Sequence, residues 1–260
     1  MKRWFALILM LMMMLSLAAC SGRSQDGNTE EKKDMGYSNV EMTEKEKDLL
    51  CENFVDEDRI RNGQLNDAQK AALDELRAGT DLLDRKYPGL EYDILRLTPA
   101  TKLTARGSLD VKIPGDDLNT YYVYTAYDDS GNISQSETVY GYVLREKYDA
   151  YVRGLLADRG IDTCCYTVFA AEAGDEIDAD TRPEELIAMG DDNLRYTDIF
   201  VENTGDRDEA AASIEQALSG EGVSGIYRVF FVNGMSGNTA AELEKNRSNY
   251  EKSSFEVGAK

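Results

Sequence analysis

The chain has 260 residues, of which 49 are acidic and 29 are basic, and it contains no histidine. Its formal net charge of −20 argues against nucleic acid as a partner and against a polybasic hold on anionic lipid, because both need clustered positive charge. Without histidine the chain has no Ser-His-Asp or Cys-His catalytic device and no histidine ligand for zinc. Any catalysis would therefore depend on carboxylate, Tyr, Lys, Ser or Cys side chains.

The first twenty residues form the most specific pattern in the chain. Lys2 and Arg3 precede an almost wholly apolar run that is shorter than the ~20 residues a membrane-spanning helix needs. The run ends in Leu17-Ala18-Ala19-Cys20, which resembles the lipobox of bacterial lipoprotein precursors. This resemblance implies cleavage before Cys20 and a diacylglyceryl group on its thiol, which would anchor the protein on the extracytoplasmic face of the cell membrane. The alternative is an ordinary secretory signal with an incidental cysteine.

A polar segment follows the signal peptide, residues 1–19. Removal of the signal leaves 241 residues and, because Lys2 and Arg3 are lost, changes the net charge from −20 to −22. Residues 20–48 are charged and lack apolar periodicity, which predicts a disordered tether. Residues 49–260 are predicted to form a single extracytoplasmic domain.

The first half of this domain is predicted to contain one long helix and several strands. The helix begins at Asn66, which forms a capping-box pattern with Gln69, and stops at Pro88-Gly89. Alternation with a period of two predicts strands at residues 90–94, 109–113, 120–127 and 136–144. The last two strands are rich in tyrosine and are expected to form a hairpin.

Helices and strands alternate in the second half. Strands are expected at residues 164–171, 196–202 and 225–233. Helices are expected over residues 148–156, after a Thr181–Glu184 cap, after an Asp206–Glu209 cap, and from about Asn238. This order predicts an α+β fold: a mixed, mainly antiparallel sheet with helices on one face, in which a ferredoxin-like β-α-β/β-α-β core is extended by the N-terminal helix and the hairpin. A doubly wound parallel sheet is the alternative.

Three cysteines remain if Cys20 is lipidated, and three cannot all pair within one molecule. Cys164 and Cys165 are strand neighbours that point to opposite faces, so they would not readily bond each other. One interpretation is that they are small apolar residues with one thiol in the core. The other is a disulfide from Cys51 to Cys164 or Cys165, formed in an oxidising exterior.

Two further motifs argue against cofactor and metal sites. Residues 220–225, GEGVSG, match G-x-G-x-x-G, but they end a predicted helix and begin a strand, which is the reverse of a dinucleotide site. Their glycines are therefore predicted to form a helix cap and a turn. The acidic loop 171–185 fails as an EF-hand starting at Asp178, because Arg182 and Pro183 stand where an acceptor and a glycine are needed. The sequence thus indicates no metal and no cofactor.

The tyrosines are the best candidate for recognition. Tyr122 and Tyr124 share one face of the predicted strand while Tyr121 and Tyr127 share the other, so at least one set lies away from the core. Amphipathic rings of low conformational entropy suit recognition of a glycan or peptide, although cross-strand aromatic packing is the plainer interpretation. The predicted recognition surface comprises Tyr121, Tyr122, Tyr124, Tyr127, Tyr140 and Tyr142.

Three functional classes fit these observations. The favoured one is a non-enzymatic cell-envelope lipoprotein that binds an envelope protein, peptide or glycan. The second is a solute-binding lipoprotein of an importer, which would show two lobes around a cleft. The third is an enzyme that works with carboxylates, which a deep pocket with perturbed carboxylates would favour. No catalytic motif supports the third class.

Overall fold

The computed structural model describes residues 38–101, 104, 106–128, 133–190 and 195–258. The signal peptide and Cys20, on which the predicted lipid anchor depends, lie outside these residues. Within the described part of the chain, no helix combines the length and the apolar character needed to cross a membrane.

The described residues form seven α-helices, ten β-strands and one 3-10 turn. The helices are α1 (Glu44–Cys51), α2 (Glu57–Arg61), α3 (Asp67–Lys86), α4 (Tyr140–Ala157), α5 (Pro183–Ala188), α6 (Arg207–Glu221) and α7 (Ala240–Lys245). The strands are β1 (Ser38–Asn39), β2 (Gln64–Leu65), β3 (Asp93–Thr98), β4 (Arg106–Lys112), β5 (Tyr121–Tyr127), β6 (Ile133–Glu137), β7 (Thr163–Phe169), β8 (Arg195–Glu202), β9 (Gly225–Val232) and β10 (Glu251–Val257). The 3-10 turn spans Arg247–Asn249 and follows α7.

The described strands form three sheets. The first large sheet is an antiparallel meander in the order β3-β4-β5-β6. The second has the order β10-β9-β8-β7 and is antiparallel except between β8 and β9, which run parallel and are joined through α6. The short strands β1 and β2 form a separate ladder.

One hydrophobic core joins the helices to both large sheets. Leu83 of α3 and Val123 of β5 belong to the same buried cluster as Ile214 of α6 and Ile199 of β8. Gly79 lets α3 lie close to the first sheet, since a Cβ there would lie 2.5 Å from Leu109 Cδ1. Because each large sheet has one face in this core, its other face is free to carry a site.

The predicted α+β class and the mainly antiparallel pairing are confirmed. The strands fall into two sheets, however, and not into one extended ferredoxin-like sheet, because β6 pairs with β5 while β7 pairs with β8. The reason lies at Glu137. Its carboxylate accepts the backbone N–H of Tyr140 at 2.9 Å, so a helix starts where the Tyr-rich strand was expected to continue to residue 144.

The folded part begins earlier than the sequence predicts. The expected tether runs to residue 48, but α1 starts at Glu44 behind a capping box formed by Thr43 and Glu46. Leu49 and Leu50 of this helix are buried in the core. A polar stretch with only a few apolar side chains can thus fold when a cap holds the helix and those side chains find a core.

Several other predicted boundaries need correction. The helix expected after Thr181 begins at Pro183, because the Glu185 carboxylate accepts the backbone N–H of Arg182 and not that of Thr181. The final helix, predicted from about Asn238, begins at Ala240 and ends at Lys245, and residues 251–257 form the edge strand β10. The caps predicted at Asn66 and Asp206 are confirmed.

Candidate functional site

Each large sheet has one face that no long helix covers, and we call these the two open faces. In the first sheet, Tyr121 and Val123 of β5 point to the core while Tyr122 and Tyr124 are half-buried on the open face. In the second sheet, Cys165 lies in the main core. Its neighbour Tyr166 belongs to a second, smaller cluster on the opposite face.

Tyr122 and Tyr124 form a stacked pair on the open face of the first sheet. Their ring centroids lie 5.7 Å apart at an interplanar angle of 19°. The Arg106 guanidinium lies 3.8 Å from the centroid of the Tyr124 ring and also forms an ion pair with Glu172. Asp110 stands directly opposite Tyr122 on β4. The pair therefore offers aromatic surface framed by charged and polar groups.

The other predicted tyrosines are not on this face. Tyr121 is buried and donates a hydrogen bond to Asp116 at 2.5 Å, and Tyr127 donates to Glu75 at 3.0 Å. Tyr140 is fully buried, and Tyr142 packs edge-on against Tyr121. Tyr140 and Tyr142 lie on α4 and not on a strand. Because Tyr121 and Tyr140 are buried, the prediction that they belong to the recognition surface is wrong. The structure brings only Tyr122 and Tyr124 together on the open face.

A groove leads from the tyrosine pair to the second sheet. A cavity of about 240 Å³ is lined by Tyr122 and Tyr124 and extends to Asn119 and Val168. The same Asn119 and Val168 line a larger cleft of about 570 Å³ on the open face of the second sheet. The two cavities therefore share part of their lining.

The larger cleft has a charged floor. The strand register places Tyr166, Asp198 and Arg228 side by side on β7, β8 and β9. Arg228 donates two hydrogen bonds to the Asp198 carboxylate, at 2.5 and 2.8 Å. Asp198 is almost fully buried, and Arg247 of the 3-10 turn also donates to it, at 3.3 Å. A bidentate arginine–carboxylate pair fixes both side chains in one geometry.

Glu244 of α7 completes the cleft. Its Oε1 accepts a hydrogen bond from Arg247, and its buried Oε2 accepts none from the described residues. When protonated, the Glu244 carboxyl can donate a hydrogen bond to the neighbouring Asp198 carboxylate. Burial, followed by the nearby Asp198 carboxylate, raises the pKa of Glu244 to about 7, against the opposing effect of Arg247 and Arg228. Glu244 is thus partly protonated near neutral pH.

Sequence reasoning missed this cleft, although it contained a signal. Asp198 stands between apolar residues in YTDIFVE, and Arg228 stands in the same way in GIYRVFFVN. A charged residue inside an apolar strand is almost never fully buried without a partner, so one acid and one base in neighbouring strands point to a pair.

A polar cluster forms the wall between this cleft and α4. Arg145 of α4 donates to Asp116 at 3.2 Å, to the Tyr121 hydroxyl at 2.5 Å and to the Thr167 carbonyl at 3.0 Å. Burial alone would raise the pKa of Asp116, but hydrogen bonds from Tyr121, Asn119 and Arg145 outweigh it and lower that pKa. Because Arg145, Asp116 and Tyr121 are hydrogen-bonded to one another and Arg145 also to Thr167, this cluster holds the β4–β5 connection against α4 and β7.

The three cysteines outside the signal region are free thiols, so the predicted disulfide from Cys51 to Cys164 or Cys165 is not formed in the structure. Cys51 ends α1, which packs on α2, α3 and β3, whereas β7 packs on β8 and α4. The predicted opposite orientation of Cys164 and Cys165 is observed, with Cys165 in the main core and Cys164 beside the smaller cluster.

The glycine motif and the acidic loop have local roles. Gly222 has a φ of 69° and caps α6, as a helix-ending interpretation of residues 220–225 predicts. In the acidic loop, Asp178 accepts the backbone N–H groups of Asp180 and Thr181, and Asp175 pairs with Arg85 at 3.2 Å. Asp178 therefore stabilises a turn, and Asp175 forms a surface ion pair.

No family model and no curated protein matches the chain. Among solved structures, a DUF5037 family protein from Ruminococcus gnavus ATCC 29149, determined at 2.55 Å resolution, aligns with 71% of this chain and 91% of its own. The sequence identity is 9% and the TM-score is 0.39, a similarity too small to support an argument about fold or function.

Proposed function

We propose that this protein is a lipid-anchored binding protein of the cell envelope, displayed outside the cytoplasmic membrane through Cys20. Its recognition surface is the open face of the first sheet, and its ligand is an envelope glycan. The observation that carries this proposal is the stacked, half-exposed Tyr122–Tyr124 pair beside a groove. Aromatic rings that present an apolar face and a polar edge suit a ligand that is itself amphipathic.

The surroundings of the pair favour a glycan over a protein partner. The fully buried centre of a protein interface is more apolar than the rest of the surface, and large contiguous apolar patches mark such sites. The large apolar side chains that are exposed in the described residues lie on four separate segments, namely Val55, Leu95, Leu118 and Ile133. Hydroxyl-rich ligands need polar groups around the rings, and the exposed guanidinium groups of Arg106, paired with Glu172, and of Arg96, paired with Asp110 opposite Tyr122, provide them.

A binding assay on the organism's own cell wall tests this proposal. The Tyr122→Ser/Tyr124→Ser protein should bind isolated wall material about 5- to 150-fold more weakly than wild type, because about 1–3 kcal/mol of aromatic contact is lost. The matched control is Tyr92→Ser/Tyr151→Ser, which removes two half-buried tyrosines elsewhere. Equal retention of both variants at matched stability would refute the proposed surface.

The anchor is tested separately in cells. A Cys20→Ala precursor should lose radiolabelled palmitate and leave the membrane fraction, since a diacyl chain pair is what holds the protein there. Cys51→Ala should keep both properties. Unchanged labelling of Cys20→Ala would contradict the lipobox interpretation.

The importer and the enzyme are weaker alternatives. A solute-binding lipoprotein would show two lobes, whereas the described residues between 38 and 258 cluster as one compact unit. Two raised pKa values favour an enzyme, those of Glu244 and Asp149, because each carboxyl group lines a cleft. Acid–base catalysis at Glu244 would use a second carboxylate across the cleft, but Asp198 lies next to Glu244, where it is buried and held by Arg228 and Arg247.

A further inference from the structure

The cleft on the second sheet holds more positive than negative charge in a protein that is strongly acidic overall. Arg228, Arg247 and Lys245 reach its surface, against the carboxylates of Asp198 and Glu244. Lys245 is exposed and has no ion-pair partner among the residues that the structure describes. The acidic chain thus concentrates cations at one concave place.

Several N–H donors in the cleft are not used by Asp198 or Glu244. Arg228 donates to Asp198 through Nε and Nη2, so its Nη1 is not engaged in this pair. Arg247 uses Nη1 for Asp198 and Glu244, which leaves its other nitrogens. About a quarter of the Arg228 side chain and nearly half of the Arg247 side chain are exposed, at 26% and 44%. Two guanidinium groups with free N–H groups and open access form a fork that matches an oxyanion.

Glu244 lowers the negative charge of the cleft when it is protonated. More than nine-tenths of the residue is buried, and it lines the cleft beside Asp198. Once protonated, its carboxyl can donate a hydrogen bond to Asp198, so the two carboxyl groups then carry one negative charge between them.

We propose that this cleft binds an oxyanion, the carboxylate or phosphate group of an envelope polymer, between Arg228, Arg247 and Lys245. The groups that face Glu244 are Asp198 on β8, Arg228 on β9, Arg247 on the 3-10 turn and Tyr166 on β7. An incoming anion adds a negative charge beside Asp198 and Glu244, so binding takes up a proton at Glu244. The site is separate from the tyrosine pair and stands without it.

The test is calorimetric titration of the full-length protein in detergent at constant ionic strength. The probes are sulfate, a tetrahedral stand-in for phosphate whose charge is constant between pH 6 and 8, and glucuronate, with glucose as the neutral control. Wild type should bind sulfate or glucuronate saturably and glucose not at all. Binding of only one anion would identify whether phosphate-like or carboxylate groups are the source.

Three variants make the result specific. Arg247→Gln should weaken binding at least about tenfold, through loss of charge-assisted hydrogen bonds, whereas the matched Arg159→Gln, at an exposed pair between the turn after α4 and the end of α6, should not. If Arg247→Gln is unstable, the anion affinity of Lys245→Gln is measured in its place and should also be weaker than that of wild type. Wild-type affinity should rise up to about tenfold from pH 8 to pH 6, and Glu244→Gln should bind equally at both.

Tyr122→Ser/Tyr124→Ser should bind sulfate with the affinity of wild type. Failure of the proposed glycan surface can therefore be distinguished from failure of the oxyanion site. Absence of saturable anion binding by wild type overturns the oxyanion site. Equal effects of Arg247→Gln and Arg159→Gln, or an unchanged pH dependence in Glu244→Gln, overturn it as well.

Discussion

Single buried carboxylates in this protein are stabilised in different ways. Glu137 is fully buried and accepts hydrogen bonds from Lys86 at 2.6 Å and from the Tyr87 hydroxyl at 2.7 Å. Asp149 is also buried, but its hydrogen bond comes from the neutral hydroxyl of Thr167 at 2.6 Å. Burial therefore raises the pKa of Asp149 to about 6, despite that hydrogen bond and the nearby Arg145.

Asp149→Asn should become more stable, relative to wild type, as the pH rises. The pKa of Asp149 is about 6 in the folded protein and has its ordinary value of 3.8 in the unfolded chain. The protonated Asp149 side chain therefore stabilises the fold fully below about pH 3.8, and this stabilisation is lost as the pH rises through 6. Asparagine keeps the acceptor for Thr167 and does not titrate. Urea unfolding should show a relative gain of about 1–3 kcal/mol between pH 4 and pH 7.5. Exposed Asp117→Asn is the control, and an identical pH profile in both variants would contradict the prediction.

Lys86→Met should lower the free energy of unfolding by about 3–5 kcal/mol, because it leaves Glu137 buried without its cation. Lys45→Met breaks an exposed pair with Asp93 and should cost less than about 1 kcal/mol. Chemical denaturation of both variants measures the difference. Adding Glu137→Gln to Lys86→Met should recover part of the loss, and no recovery would argue against the charge as the cause.

At the scale of elements, local patterns determined where helices begin. The Asn66–Gln69 and Asp206–Glu209 caps were predictable because they involve residues three apart. The strand predicted over residues 136–144 is wrong beyond residue 137, because alternating Tyr and Val residues also suit a helix face. What decides for the helix is Glu137, whose buried carboxylate caps it while pairing with Lys86 from a distant element.

Two helical glycines should respond in opposite ways to alanine. Gly154 of α4 has open space around it, so Gly154→Ala should stabilise the protein by up to about 1 kcal/mol through helix propensity. Gly79 of α3 lies against Leu109, and Gly79→Ala should destabilise by about 1–2 kcal/mol, since overpacking exceeds the propensity gain. Thermal and urea unfolding measure both. A stabilised Gly79→Ala would mean that α3 and β4 separate easily.

At the scale of the whole molecule, the two large sheets are joined by one core and by the Arg145 cluster. Leu83, Val123, Ile199 and Ile214 belong to a single buried cluster that spans both sheets. Arg145 adds hydrogen bonds to the β4–β5 connection and to β7. The inner face of each sheet is therefore buried against apolar side chains that belong to the same core as the other sheet.

Native-state hydrogen exchange should therefore report one global opening. The slowest amides of β4–β5 and of β8–β9 are expected to share the same opening free energy within about 1 kcal/mol, because both sheets depend on the same core. Arg145→Gln should lower both values together, whereas exposed Arg159→Gln should change neither. Two clearly separate opening free energies would show that the sheets unfold independently.

The sequence by itself determined the α+β class, most strand positions, the helix caps at Asn66 and Asp206, and the division of the β5 tyrosines between two faces. These features depend on periodicity and on residues a few positions apart. The lipobox prediction at Cys20 has the same local origin.

Only the tertiary structure decided the division into two sheets and the cleft on the second one. Asp198, Arg228, Glu244 and Arg247 are brought together by strand register and by the packing of α7. The raised pKa of Glu244 follows from burial beside Asp198. Burial and distance between residues far apart in the chain are properties of packing, and no local sequence pattern encodes them.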